Sequence, residues 1–129
     1  MQERIQTPGA PRAIGPYSQA VRHGGLVWCT GQIALDPDTG ALVGATASEQ
    51  AARVLDNLAA VLEAAGSGLD RVLKATLYLV DLADFGPVNE VWAARFGGPV
   101  PPARATLQAA GLPRGALVEI DCVAACDPG

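Results

Sequence analysis

Arg104 is the one charged residue in the run Pro99-Val-Pro-Pro-Ala-Arg-Ala-Thr106. Prolines 99, 101 and 102 stiffen the backbone just before it. A guanidinium on a rigid approach presents a planar, two-pronged grip for a carboxylate or a phosphate. A surface loop with a solvated arginine is the other reading, and this stretch alone leaves both open. A second candidate is Glu119, in the apolar run Leu117-Val-Glu-Ile-Asp-Cys-Val-Ala-Ala125. Strand alternation sets Glu119 and Asp121 on one face, away from Val118, Ile120 and Cys122. A carboxylate on a strand bound for an interface is paired or functional, whereas on an edge strand it is simply solvated. Partial desolvation would raise its pKa and suit it to proton transfer near neutral pH. Asp121 reads as solvated or salt-bridged.

Other residues are candidates on weaker grounds. Tyr17 follows Gly15-Pro16, a dipeptide that turns the chain and aims the ring; a phenol there can cover a small ligand and hydrogen-bond to it. The alternative is a half-buried strand tyrosine. Gly31-Gln32 interrupts an apolar strand, and a strand glycine often marks close approach by a ligand. Asn89 lies inside a helical segment, where its propensity is poor; it orients a loop or faces a cleft. Trp28 and Trp92 read as core residues, and His23 as a solvated turn residue.

These residues need elements to hold them. Residues 17–23 and 26–35 read as two strands joined through His23-Gly24-Gly25, a hairpin signal. Asp36-Pro-Asp-Thr-Gly40 is a turn, and a short extended piece follows at 41–44. Thr46-Ala-Ser-Glu49 is a capping box that opens a helix to about Ala65. Its apolar face is Ala51, Val54, Leu55, Leu58, Val61, Leu62 and Ala65, and Gly66 stops it. Residues 69–80 read as a long strand, with Leu73, Ala75, Leu77 and Leu79 on one face and Val72, Tyr78 and Val80 on the other. A second helix fits 85–96, with Val88, Val91, Trp92 and Phe96 facing the core. Strands at 103–109 and 117–125 complete the set.

The order predicts one α+β domain over residues 1–129, a mixed sheet with two helices packed on one face. Two helices cover only one face of such a sheet. The apolar second face of strands 72–80 and 117–125 therefore predicts an oligomer.

Gly15-Pro-Tyr-Ser-Gln-Ala20, Thr30-Gly-Gln-Ile33, Asn89-Glu-Val-Trp92, Pro101-Pro-Ala-Arg-Ala-Thr106 and Val118-Glu-Ile-Asp121 occur in the order and spacing of one family. The chain resembles the RidA/YjgF family over nearly its whole length, from about Pro16 to Ala125. The resemblance implies a chorismate-mutase-like fold, a homotrimer with clefts between subunits, and hydrolysis of enamine and imine intermediates. It implies a 2-iminobutanoate/2-iminopropanoate deaminase releasing ammonia and a 2-keto acid, without metal or organic cofactor. Arg104 matches the family's carboxylate-binding arginine. Tyr17 and Glu119 match its tyrosine and late-strand glutamate, and Asn89 its helix asparagine. Thr30-Gly31 matches the step whose backbone lines the pocket. Thr106 stands where many members carry a cysteine, which leaves thiol-dependent regulation without its thiol and bears on substrate range.

Composition excludes several other functions. Half of the 129 residues are hydrophobic and 17% are charged, so the chain is not disordered. A net charge of −4 and a pI near 4.7 lack the basic footprint of a nucleic-acid binder. That counts against a ribonuclease and against an anionic membrane surface. The N-terminal run MQERIQTPGAP has no apolar signal core, so the expected location is cytoplasmic. Three cysteines and one histidine offer neither a disulfide framework nor a zinc ligand set. Cys29 and Cys122, in apolar runs, read as small buried hydrophobes. The alternative to the deaminase is a trimeric module that binds 2-keto acids without turnover.

Overall fold

The computed structural model describes residues 1–127. Six strands form one sheet: β1 (Glu3–Ile5), β2 (Ala20–His23), β3 (Leu26–Gln32), β4 (Val72–Leu79), β5 (Ala103–Gln108) and β6 (Val118–Ala125). Their order is β1-β2-β3-β6-β4-β5, antiparallel throughout except for the parallel pair β4 and β5. Helices α1 (Ala47–Ala64) and α2 (Phe85–Arg95) pack on one face. Parallel neighbours need a crossover, and α2 supplies it between β4 and β5. The α+β reading therefore holds. No helix of the described residues is long and apolar enough to cross a membrane.

Local chemistry explains the boundaries of α1. The Thr46 hydroxyl accepts from Glu49 N at 3.2 Å, as a capping box requires. At the other end Gly66 takes φ +76°, and Ser67 N reaches Leu62 O at 2.8 Å. That is a Schellman end, which satisfies carbonyls the helix leaves open. Between them Val54, Leu55, Leu58, Val61 and Leu62 are fully buried. Each such side chain contributes roughly 1.5–3 kcal/mol. They meet Val27, Ala75, Leu77, Leu79, Val118 and Ile120 from the sheet. The β2–β3 hairpin turns at Gly24, at φ +61°.

The sequence expectations fail at four places. Trp28 is 53% exposed, because it alternates with buried Val27 and Cys29 and points to the face without helices. Leu73 is 51% exposed and Val72 buried. A bulge between Val72 and Lys74 inserts one residue against β6 and exchanges their expected sides. Residues 69–71 form a 3-10 turn, so this strand begins at Val72. Residues 17–19 and 33–35 lie outside the hairpin strands; at 33–35 the Asn57 amide takes the backbone carbonyls, and at 17 the chain is in a turn, with Tyr17 N on Gly15 O.

Those amides clamp the loops. Gln19 is 3% exposed. Its oxygen accepts from Thr7 N at 2.7 Å, and its nitrogen reaches the carbonyls of Thr7, Ala10 and Pro11 at 3.1, 3.2 and 2.8 Å. Asn57, buried in α1, donates to Ile33 O and Leu35 O at 3.3 and 3.0 Å. Gln50 bridges Gly44 O and Leu117 N at 3.1 and 2.8 Å. Buried amides that satisfy several backbone groups are costly to remove. Gln19→Ala is expected to lower unfolding free energy by about 2 kcal/mol and to speed amide exchange at Thr7. Denaturant unfolding and hydrogen exchange measure both; unchanged Thr7 protection would show that the loop is held by something else.

Candidate active site

A bulge in β3 creates the site. Cys29 pairs with Cys122 and Gln32 with Ile120, so three steps on β3 oppose two on β6. The extra residue falls at Thr30-Gly31. Bulges of this kind re-aim side chains and recur beside active sites. Thr30 N donates to Gln19 O at 3.0 Å, which ties the bulge to the start of β2. Glu119 lies over it. A Cβ built on Gly31 would stand 2.9 Å from Glu119 Cδ and 3.2 Å from Cγ, and would collide with Oε2. The carboxyl group occupies space that only a glycine leaves open.

Around this contact is a pocket of about 120 Å³. Tyr17, Thr30, Gly31 and Glu119 line it, with Ile14, Ile33 and Pro113 as apolar wall and Arg12 and Arg114 also present. Tyr17 N donates to Gly15 O at 2.8 Å, and its hydroxyl accepts from Ile14 N at 3.4 Å. The tight turn thus aims the ring at the pocket, half exposed. Burial, and then the charge of Asp121, hold the Glu119 pKa above the ordinary carboxylate range. Asp121 forms no ion pair among the described residues; it accepts from the Tyr78 hydroxyl at 2.9 Å. That hydrogen bond keeps the Tyr78 phenol protonated to higher pH.

Arg104 belongs to a second group. Its Nη1 donates to Asn89 Oδ1 at 2.8 Å. The guanidinium carbon lies 5.3 Å from the Phe85 ring centre and 5.1 Å from that of Trp92. Cation–π contact with two rings and an amide fixes its orientation. Arg104 pairs with Ala75, on the helix face, whereas Glu119 pairs with Tyr78, three residues along β4. An odd separation along a strand means opposite faces. Within one chain, Arg104, Asn89 and Thr106 thus lie across the sheet from Tyr17, Thr30, Gly31 and Glu119. Thr106 shares Arg104's side of β5 by alternation.

Three contributors escaped the sequence reading: Gln19, Phe85 and the contact of Trp92 with Arg104. Phe85, Asn89 and Trp92 fall at i, i+4 and i+7, one face of a helix, so that signal was available. Trp92 is buried as expected, and the same ring that packs the core contacts Arg104. Cys29 and Cys122 are both buried. Their mutual hydrogen bond, then burial, push the Cys29 thiol pKa far up, which removes it as a nucleophile. No group of three or more His, Cys, Asp or Glu among the described residues is placed to hold a metal.

The Endoribonuclease L-PSP family profile matches residues 7–126. The chain belongs to the RidA/YjgF family. A mouse 2-iminobutanoate/2-iminopropanoate deaminase is 47% identical over 124 residues, covering 96% of this chain and 91% of that protein. RidA from the Antarctic bacterium Psychrobacter sp. superposes with a TM-score of 0.91 at 44% identity, over 95% of this chain and 98% of that one. E. coli TdcF, solved with bound serine, gives 0.92 at 37% identity, over 97% and 99%. The fold is the chorismate-mutase-like one of that family.

Two outcomes follow for this RidA/YjgF site. Gly31→Ala is expected to displace the Glu119 carboxyl while leaving the strands in place, seen as a moved Glu119 in a crystal structure; an unmoved Glu119 would refute the seat. Asp121→Asn removes the like charge, so the Glu119 titration midpoint is expected to fall. Carboxyl-labelled NMR reads this directly, and a midpoint that stays or rises would refute the assigned cause. A raised native pKa favours the protonated form, so this contribution is full below the unfolded-state pKa and is lost as pH rises through the native one.

Proposed function

We propose that this RidA/YjgF-family chain hydrolyses small 2-imino acids, 2-iminobutanoate and 2-iminopropanoate among them, in clefts completed between copies of a homotrimer. The observation that carries this is Glu119, seated on Gly31 in a small pocket with its pKa raised. Arg104 of one copy holds the substrate carboxylate in a bidentate fork, oriented by Asn89 and the two rings. The neighbouring copy supplies Tyr17, Glu119 and the Thr30-Gly31 backbone, and Thr106 flanks the arginine.

Glu119 accepts a proton from a water as its oxygen adds to the imine carbon. Glu119 passes that proton to the imine nitrogen, giving the tetrahedral aminoalcohol; the hydroxyl proton then moves through Glu119 to the same nitrogen as the C–N bond breaks and the C=O bond forms. One water is consumed, and ammonia and a 2-keto acid leave. General base help of this kind is worth roughly 10²–10⁴-fold, and the chemistry asks for no metal or organic cofactor.

Two features support a second copy. Arg104 and Glu119 face opposite sides of the sheet and cannot meet one small ligand within a chain. Trp28, Leu73 and Leu107 are 53%, 51% and 41% exposed, apolar surface that suits an interface. A module that only bound 2-keto acids would need the arginine alone, and an acid beside the anion would oppose it. Glu119 favours turnover.

The test is subunit mixing. Arg104→Ala and Glu119→Gln are each expected to lose ammonia release from imino acids made by an amino-acid oxidase. Unfolded together at equal amounts and reassembled, they are expected to recover about a quarter of wild-type activity, because each shared cleft draws its two residues from different chains. Near-normal turnover by either single variant would refute its role. No recovery on mixing, with the trimer mass verified by light scattering, would refute the shared cleft.

A further inference from the structure

The pocket over Gly31 holds charge that the hydrolysis does not use. Two of its lining residues are arginines, Arg12 and Arg114, and Glu119 is the one acid among them. Arg12 sits on the loop that Gln19 clamps through Pro11 O at 2.8 Å, so its backbone is fixed although its side chain is exposed. Among the described residues no hydrogen bond or ion pair engages its guanidinium; the ion pairs use Arg22, Arg71 and Arg95. Arg12 also borders an adjoining hollow of about 190 Å³ that includes Arg4.

Arg114 is held differently. It is the one non-glycine among the described residues with positive φ, at 62°. That left-handed conformation is strained for any residue but glycine. It persists here between Pro113 and Gly115, and its Nη2 donates to Gly40 O at 3.2 Å. One donor of five is thereby used, and the rest remain for a ligand. The turn sets Arg114 at the rim of the pocket, exposed to solvent as Arg12 is.

Three of the chain's nine basic residues thus gather at two adjoining hollows of a protein with net charge −4. An alkyl substrate side chain has no use for them. We propose that the side chain of the imino acid carries a second carboxylate, and that Arg12 and Arg114 bind it. The preferred substrates are then 2-imino dicarboxylates such as 2-iminosuccinate and 2-iminoglutarate, ahead of the alkyl imino acids. This rests on the deaminase reading, with Arg104 of a neighbouring copy taking the carboxylate next to the imine. Carboxylate–guanidinium hydrogen bonds at both ends would set the length of the substrate.

Two measurements separate this inference from the reading beneath it. In the first, 2-iminobutanoate is generated by D-amino-acid oxidase and 2-iminosuccinate by D-aspartate oxidase. The ratio of kcat/KM for the second over the first is compared in wild type, Arg12→Gln and Arg114→Gly. Glycine keeps the left-handed turn and removes only the side chain. Each substitution is expected to lower the ratio about tenfold. In the second, calorimetry compares 2-oxoglutarate with 2-oxobutanoate, with wild type preferring the dicarboxylate and both variants losing the preference. A preference without any turnover would sink the deaminase reading and leave the dicarboxylate site standing. Turnover with an unchanged ratio in both variants, or no preference in wild type, would overturn the dicarboxylate site.

Discussion

The contact between the Glu119 carboxyl and the bare backbone of Gly31 is the constraint on which the site depends. It needs a glycine, because a Cβ would stand 2.9 Å from Glu119 Cδ. It needs the bulge, because regular pairing would put the neighbouring side chains elsewhere. It also needs the strip of open sheet on which Glu119 and Asp121 stand two residues apart. Burial against Gly31 and the Asp121 charge then do the chemical tuning. A carboxyl that is expensive to ionise is one that can take a proton and give it back.

The sheet's two faces divide the rest of the labour. One face is sealed by α1 and α2 around Leu55, Leu58, Leu77 and Ile120. That seal gives rigidity, and it also presents Arg104 from the helix side, packed against Phe85 and Trp92. The other face carries Glu119, Tyr78 and Trp28. A residue pair split across a sheet this way cannot close on one small ligand alone. Under the proposed shared cleft, association of copies serves the chemistry and also covers Trp28 and Leu73.

Precision in the loops comes from amides rather than from apolar packing. Gln19, Gln50 and Asn57 each satisfy backbone groups from a separate segment. A buried amide makes directional contacts, so it fixes where a loop lies, whereas a leucine fixes only that it is buried. Gln19 does this for residues 7–11 and, through its carbonyl, for Thr30 at the bulge. The pocket wall and the bulge of β3 are thereby referenced to one residue, through its side chain and its main-chain carbonyl.

Much of this was legible in the chain itself. Period-3.6 apolar spacing and the Thr46–Glu49 box gave α1, and Gly66 gave its end. The Gly24 hairpin, the late strand with Glu119 and Asp121 on one face, and the family motifs around Tyr17, Gly31, Asn89 and Arg104 were equally readable, because all are local patterns. Trp28 and Leu73 were misplaced for a physical reason. Alternation tells which residues share a face, but not which face is covered, and an inserted bulge residue exchanges the sides without any sequence mark. The neighbours of a residue across the sheet are likewise invisible in sequence, since pairing joins positions such as Arg104 with Ala75 and Glu119 with Tyr78 that are far apart along the chain. Only the tertiary structure could therefore decide that Arg104 and Glu119 face opposite sides, that Glu119 rests on Gly31, and that Arg12 and Arg114 meet at the same pocket.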